Sequence, residues 1–251
     1  MFIDTHCHLS LEDYENIDSV IQDNRQAGIK CIIISGCTKE SIQESLKYAD
    51  LYEDVYVTIG YHPSEASLTT EADILAFEEL LSHKKVIGIG EIGLDYHYGK
   101  EDASLQKELF RKQMLLADKH HLPVVIHSRD ATEETINILK EFPSVKGDIH
   151  CFSGSLETAK QYISMGYYLG IGGVVTFKNS KLFSVIQQIG ISSVLLETDS
   201  PYLTPEPNRG KQNSSKYIPA IAKCIAEVCD LTIEEVSKIT LQNTYRLFDL
   251  K

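Results

Sequence analysis

Short runs of apolar and β-branched residues alternate along the chain with segments whose apolar residues recur at helical spacing. Eight such runs are bounded by glycine, proline or serine: Phe2–Thr5, Lys30–Ser35, Val55–Ile59, Val86–Gly90, Pro123–Ile126, Val145–Ile149, Tyr167–Ile171 and Ser193–Leu196. Continuous apolar runs of this length are typical of strands buried on both faces, as in a parallel sheet. The third and seventh runs have the weakest pattern, and they leave a doubly wound open sheet as the competing architecture.

The segments between these runs predict helices. In the first of them, Ile17, Val20 and Ile21 recur at helical spacing, and Gly28 follows as a candidate helix end. Strands that alternate with helices indicate βαβ units, and eight such units predict a (β/α)8 TIM barrel. The length of 251 residues is typical of one such barrel. The sequence therefore predicts a single α/β domain over residues 1–251.

Side chains that bind metals follow five of the predicted strands: His6 and His8 after the first, Glu91 after the fourth, His127 after the fifth, His150 after the sixth and Asp199 after the eighth. Imidazole and carboxylate are both ligands of divalent metals. In a barrel, the carboxyl ends of all strands open on one face, so we expect the six side chains to converge there. Each of them alone also fits a polar residue that ends a strand.

Neighbouring residues extend this candidate site. Strand alternation puts Asp4 on the side of the imidazoles, where it either orients a histidine or makes hydrogen bonds at the end of the core. His62 follows the third strand and is predicted to contact substrate, with stabilisation of its own turn as the alternative. Arg129 lies two residues after His127 and is predicted to bind a substrate phosphate through two N–H groups. The alternative for Arg129 is an ion pair within the protein.

Composition adds limits on location. Hydrophobic residues make up 43% of the chain and charged residues 24%, as in ordinary globular proteins. No apolar stretch approaches the length of about 20 residues that a membrane span needs, and the first residues do not resemble a signal peptide. The six cysteines are scattered without Cys-x-x-Cys spacing, which is typical of reduced thiols. We therefore expect a cytoplasmic protein that does not associate with membranes.

The net charge of −12 disfavours broad, non-specific binding to nucleic acid. A local exception follows the eighth strand, where residues 208–216 contain Arg209, Lys211 and Lys216 and no acidic residue. Loops after the seventh and eighth strands commonly hold phosphate in barrels. Arg209 and Lys211 are therefore predicted to contact substrate phosphates.

Five motifs resemble the successive signatures of the TatD family of metal-dependent deoxyribonucleases, within the amidohydrolase superfamily. They are His6-Cys7-His8, Gly90-Glu91-Ile92-Gly93-Leu94-Asp95-Tyr96, His127-Ser128-Arg129-Asp130-Ala131, His150-Cys151-Phe152-Ser153-Gly154 and Glu197-Thr198-Asp199-Ser200-Pro201-Tyr202-Leu203. The motifs occur in order along essentially the whole chain.

This resemblance implies a TIM barrel with two divalent cations, commonly magnesium, that hydrolyses phosphodiester bonds in DNA. The expected activity is a 3′→5′ exonuclease on single-stranded DNA, in which two metals activate the attacking water. The resemblance places His6, His8 and Asp199 on one metal and His127 and His150 on the other, with Glu91 bridging them. Glu91 and Asp199 are the predicted catalytic residues, and Asp199 is the candidate general base.

Several points stay open at this stage. The mixed ligands give little metal selectivity, so Mg²⁺ or Mn²⁺ is expected in the cell, while Zn²⁺ or Ni²⁺ would also fit in crystals. Many family members carry Glu-Pro where this chain has Ser214-Ser215, which leaves the preference for one strand end open. DNA at the barrel mouth is the expected partner, and no obligate protein partner is expected. The competing functions are an amidohydrolase or lactonase with the same binuclear centre and a non-catalytic metal-binding protein.

Overall fold

A computed structural model of the protein describes residues 1–250. Eight strands occur along the chain: β1 Phe2–Cys7, β2 Ile29–Gly36, β3 Val55–Ile59, β4 Val86–Asp95, β5 Val124–Arg129, β6 Gly147–Ile149, β7 Tyr168–Ile171 and β8 Val194–Leu196. Their order in the sheet follows their order in the chain, and helices alternate with them. The predicted (β/α)8 fold class is therefore confirmed, and the doubly wound alternative is wrong.

Nine α-helices occur within residues 1–250. They are α1 Ile17–Gln26, α2 Lys39–Leu51, α3 Glu71–Leu80, α4 Ala103–His120, α5 Thr132–Glu141, α6 Leu156–Ser164, α7 Leu182–Ile189, α8 Ile218–Cys229 and α9 Ile233–Phe248. The side chains of Thr38, Thr70 and Thr232 each cap a helix in a reciprocal capping box. Gly28 follows α1 and has a φ of 82°, in the left-handed region where helices often end. The helix end predicted at Gly28 is therefore confirmed.

The chain divides into two compact units, residues 1–34 with 151 onward and residues 35–150, which we call the terminal unit and the central unit. Within the terminal unit, the segment after β8 runs beside β1. The N–H of His8 donates to the carbonyl of Ser200 at 2.7 Å. From α9, the side chain of buried Asn243 donates to the carbonyls of Ile191 and Val194, which holds this helix against β8.

Within the central unit, β4 and β5 approach each other closely around Glu91. Their pairing changes register between Ile89 and Ile92, and β4 continues as far as Asp95 rather than ending at Gly90. A Cβ atom on Gly90 would lie 2.5 Å from Cβ of Val125, so only glycine fits this approach. Glu91 therefore lies inside a strand and not after one.

Other expectations have simpler outcomes. All six cysteines are free thiols, as predicted. No helix within residues 1–250 combines the length and the apolar character that a membrane span requires. The assignment of residues 1–251 to one domain stays a prediction.

Candidate metal sites

The terminal unit brings three of the predicted ligands together. His6 is fully buried in β1, His8 follows the strand, and Asp199 follows β8 with its backbone in the left-handed region at a φ of 54°. The Nε2 atoms of His6 and His8 are 3.3 Å apart. Oδ1 of Asp199 lies 3.7 Å from Nε2 of His6 and 3.5 Å from Nε2 of His8. Three electron-pair donors thus face one another.

These three atoms fit a divalent metal. A point equidistant from them lies about 2 Å from each, which is the usual length of a bond from Zn²⁺ to imidazole nitrogen or carboxylate oxygen. Without a cation or a proton between them, the lone pairs of two imidazole nitrogens and a carboxylate oxygen would repel. The donor set and its spacing therefore suit a metal ion, and we call these three residues the terminal cluster.

Buried Asp4 positions the terminal cluster through the backbone. Its carboxylate accepts hydrogen bonds from the N–H of His6 at 3.2 Å, the N–H of Thr198 at 3.0 Å and the hydroxyl of Thr198 at 2.5 Å. Burial raises the pKa of Asp4 to about 7, although the bonds from Thr198 oppose this shift. These bonds come from backbone N–H groups and from the side chain of Thr198. They therefore support the alternative in which Asp4 makes hydrogen bonds at the end of the core, rather than the one in which it orients an imidazole directly.

Glu197 is a buried carboxylate to which the sequence analysis assigned no role. Its Oε1 accepts the N–H of Cys151 at 2.7 Å, and Cys151 has a φ of 47°. Such a backbone conformation is unfavourable for most residues, and this charge-assisted bond stabilises it. The available signal was the position of Glu197 two residues before Asp199, within the same short motif.

The central unit brings the other three predicted ligands together around one carboxylate. Oε1 of Glu91 lies 2.6 Å from Nδ1 of His127 and 3.5 Å from Nε2 of His150. Its other oxygen, Oε2, accepts a weak bond from the thiol of Cys37 at 3.5 Å. Glu91, His127 and His150, which we call the central cluster, could hold a metal ion.

Asp95 contacts the opposite side of the His127 ring. Its Oδ2 lies 3.1 Å from Nε2 of His127, in the arrangement by which a carboxylate commonly orients an imidazole ligand. Burial lowers the pKa of His127, but Glu91 and Asp95 outweigh burial and raise the pKa to about 9. Only a neutral imidazole binds a metal, so a metal ion at His127 would have to take the place of this proton. The sequence reasoning did not assign this role to Asp95.

His62 and Arg129 both have contacts within the central unit. Nδ1 of His62 accepts the N–H of Ser64, which caps the short helix after β3, and its ring lies 4.5 Å from that of His127. The turn-stabilising role of His62 is therefore observed. The guanidinium of Arg129 is exposed and lies 5.7 Å from the ring centre of Tyr98. Contact of either residue with substrate stays a prediction.

The basic segment of residues 208–216 divides into two parts. Lys216 forms an ion pair with Asp23 at 2.8 Å, so its charge is already compensated. Arg209 and Lys211 are exposed, and Lys211 makes a 3.4 Å bond with the side-chain oxygen of Asn208. Two of the three cations in this segment therefore remain available for a phosphate. Their predicted role as phosphate contacts has not been tested.

The two units therefore supply one candidate metal cluster each. All six predicted ligands lie in one cluster or the other, three in each. Whether the six form one binuclear centre, as the sequence predicts, stays a prediction.

Comparison with known proteins identifies chains that are similar to this one over nearly their whole length. The family model described as TatD related DNase matches residues 3–249. The uncharacterized metal-dependent hydrolase YabD of Bacillus subtilis (strain 168) is 42% identical over 252 residues, which cover 99% of each chain. The crystal structure of YjjV, a TatD homologue from Escherichia coli K12, has a TM-score of 0.90 and 31% identity, with 100% of this chain and 98% of that one covered. A TatD family hydrolase from Entamoeba histolytica has the same fold, with a TM-score of 0.89, 24% identity and coverage of 98% and 97%.

Proposed function

The chain belongs to the TatD family of metal-dependent hydrolases, and from this premise we propose that it is a deoxyribonuclease acting on single-stranded DNA. The observation that carries the proposal is the terminal cluster, whose three donor atoms are spaced for one divalent ion. The proposed 3′→5′ direction rests on the family resemblance alone.

In this proposal each cluster would hold one divalent ion, and Glu91 would be the ligand that the two ions share. Ligands of both clusters lie in or after carboxyl-terminal halves of strands, which is where barrel enzymes have their active sites. Two bound ions would neutralise the charge of a phosphodiester and lower the pKa of water, which are the two requirements of its hydrolysis. Mg²⁺ or Mn²⁺ is the proposed metal. This choice rests on the family resemblance, because four imidazoles and two carboxylates do not by themselves select one metal.

The protein's own groups then have separate tasks. Asp199 is partly exposed and accepts the proton of the attacking water. Asp95 keeps the ring of His127 in place through Nε2. Arg129, Arg209 and Lys211 are exposed cations that bind phosphates of the strand, and His62 contacts the substrate beside His127.

Hydrolysis of end-labelled DNA tests this function. With Mn²⁺ or Mg²⁺, we expect a single strand labelled at its 5′ end to shorten progressively, because removal begins at the 3′ end. A chelator should abolish the reaction, and the KM for DNA should rise with salt, since counterions compete with the protein for phosphates.

Two parallel substrates make the test decisive. A single strand of RNA shows whether the sugar matters, and a panel of lactones and cyclic amides examines the competing small-molecule function. Turnover of a lactone that is insensitive to salt, together with intact DNA under all metal conditions, would contradict the proposed deoxyribonuclease.

A further inference from the structure

Tyr202 presents an aromatic ring to solvent from a firmly held backbone. The residue is 60% exposed, yet its N–H donates to the carbonyl of Asp199 at 2.9 Å. Its own carbonyl accepts a 2.5 Å bond from the side-chain amide of buried Asn213, which also donates to the carbonyl of Thr198 at 2.9 Å. A ring on a fixed backbone loses little conformational entropy when a flat partner binds it.

The ring of Tyr202 lies beside the terminal cluster. Its centre is 6.4 Å from that of the His8 imidazole, at an angle of 63°. The next residue, Leu203, has a φ of 54°, a conformation that leucine rarely adopts. A Cβ atom on Gly173 would lie 2.0 Å from the carbonyl oxygen of Leu203, so position 173 requires glycine. Strained, fixed loops of this kind are often found where a protein binds a ligand.

A positively charged side chain belongs to the same pair of loops. The guanidinium of Arg209 lies 3.8 Å from the ring centre of Phe177, and within residues 1–250 no carboxylate pairs with it. Stacking on Phe177 orients the guanidinium plane and leaves its N–H groups for a phosphate. The N–H of Glu206 donates to the hydroxyl of Thr176 at 2.9 Å, which joins the loop after β8 to the loop after β7.

We propose that Tyr202 is a stacking platform for one unpaired nucleobase, with Arg209 holding a phosphate of the same strand. This inference rests on the proposed nuclease function and adds a base-binding subsite to it. Every base has a flat π face, so the platform accepts all four bases. A base inside a duplex is already stacked on both faces, so the platform favours single strands and frayed ends.

The experiment compares two oligonucleotides of equal length and charge, one of thymidines and one in which tetrahydrofuran spacers replace the nucleosides. We expect the wild-type kcat/KM to be higher on the strand with bases. Tyr202→Leu should reduce this preference about tenfold, which corresponds to about 1.4 kcal/mol. Tyr202→Phe should keep the preference, because the aromatic face is retained. Phe183→Leu removes another exposed ring, from α7, and should leave the preference unchanged.

A binding measurement provides a readout that does not depend on hydrolysis. An oligonucleotide with terminal 2-aminopurine should lose fluorescence on binding to the wild type and to Tyr202→Phe with chelator present, because stacking quenches this base. Tyr202→Leu should quench it much less. An unchanged preference together with unchanged quenching in Tyr202→Leu would overturn the platform. If no form of the protein hydrolyses either strand, the nuclease proposal fails, and quenching alone then decides whether Tyr202 binds a base.

Discussion

Replacement of Glu91 by glutamine should lower the turnover of single-stranded DNA at least ~100-fold, because the variant loses the charge that both imidazoles of the central cluster face. Oε1 of Glu91 lies 2.6 Å from His127 and 3.5 Å from His150. Glutamine keeps the length and shape of the side chain but presents a neutral amide. Metal affinity should fall in parallel, as isothermal titration with Mn²⁺ would measure.

The control for Glu91→Gln is the same substitution at Glu234, an exposed residue in the first turn of α9. Glu234→Gln should turn over DNA at the wild-type rate, and both variants should keep the circular dichroism spectrum of the native fold. Wild-type turnover by Glu91→Gln would remove Glu91 from the reaction.

Asp199→Asn should lower DNA hydrolysis by a similar factor, at least ~100-fold, because the residue is both a candidate ligand and the candidate proton acceptor. Asparagine is the informative replacement. Asp199 has a φ of 54°, and asparagine adopts this left-handed conformation more readily than alanine does. The variant therefore removes the charge and the base while it preserves the backbone, and the loss should appear in kcat.

Asp230 provides a closely matched control for this variant. It has a φ of 53° at the end of α8 and is exposed, so Asp230→Asn makes the same chemical change in the same backbone conformation. We expect wild-type hydrolysis and a wild-type melting temperature. If Asp199→Asn retained the kcat of Asp230→Asn, Asp199 would not be the proton acceptor.

The strands could be predicted because strands in a parallel sheet are buried on both faces and therefore read as apolar runs. The continuation of β4 to Asp95 could not, because its last residues include glycines and carboxylates that also fit a loop. The observed pairing with β5, from Ile92 opposite Ile126 to Asp95 opposite Arg129, shows that this segment is a strand. The contact between Asp95 and His127 was missed for the same reason.

The candidate ligands were found because each comes at a regular place relative to a predicted strand. Roles that depend on distant partners were beyond the sequence. Lys216 reads as a free cation until its ion pair with Asp23 is known, and the two residues are 193 positions apart. For His62 the sequence left two roles open, and its bond with the N–H of Ser64 shows the turn-stabilising one, while contact with substrate stays a prediction.

The most direct test of the two-ion proposal is the anomalous scattering of crystals of this protein grown with Mn²⁺. We expect two peaks separated by about 3.5–4 Å, the spacing of two-metal hydrolytic centres. One should lie against His6, His8 and Asp199 and the other against His127 and His150, with Glu91 touching both. A single peak, or two peaks too far apart for one carboxylate to span, would contradict the proposal.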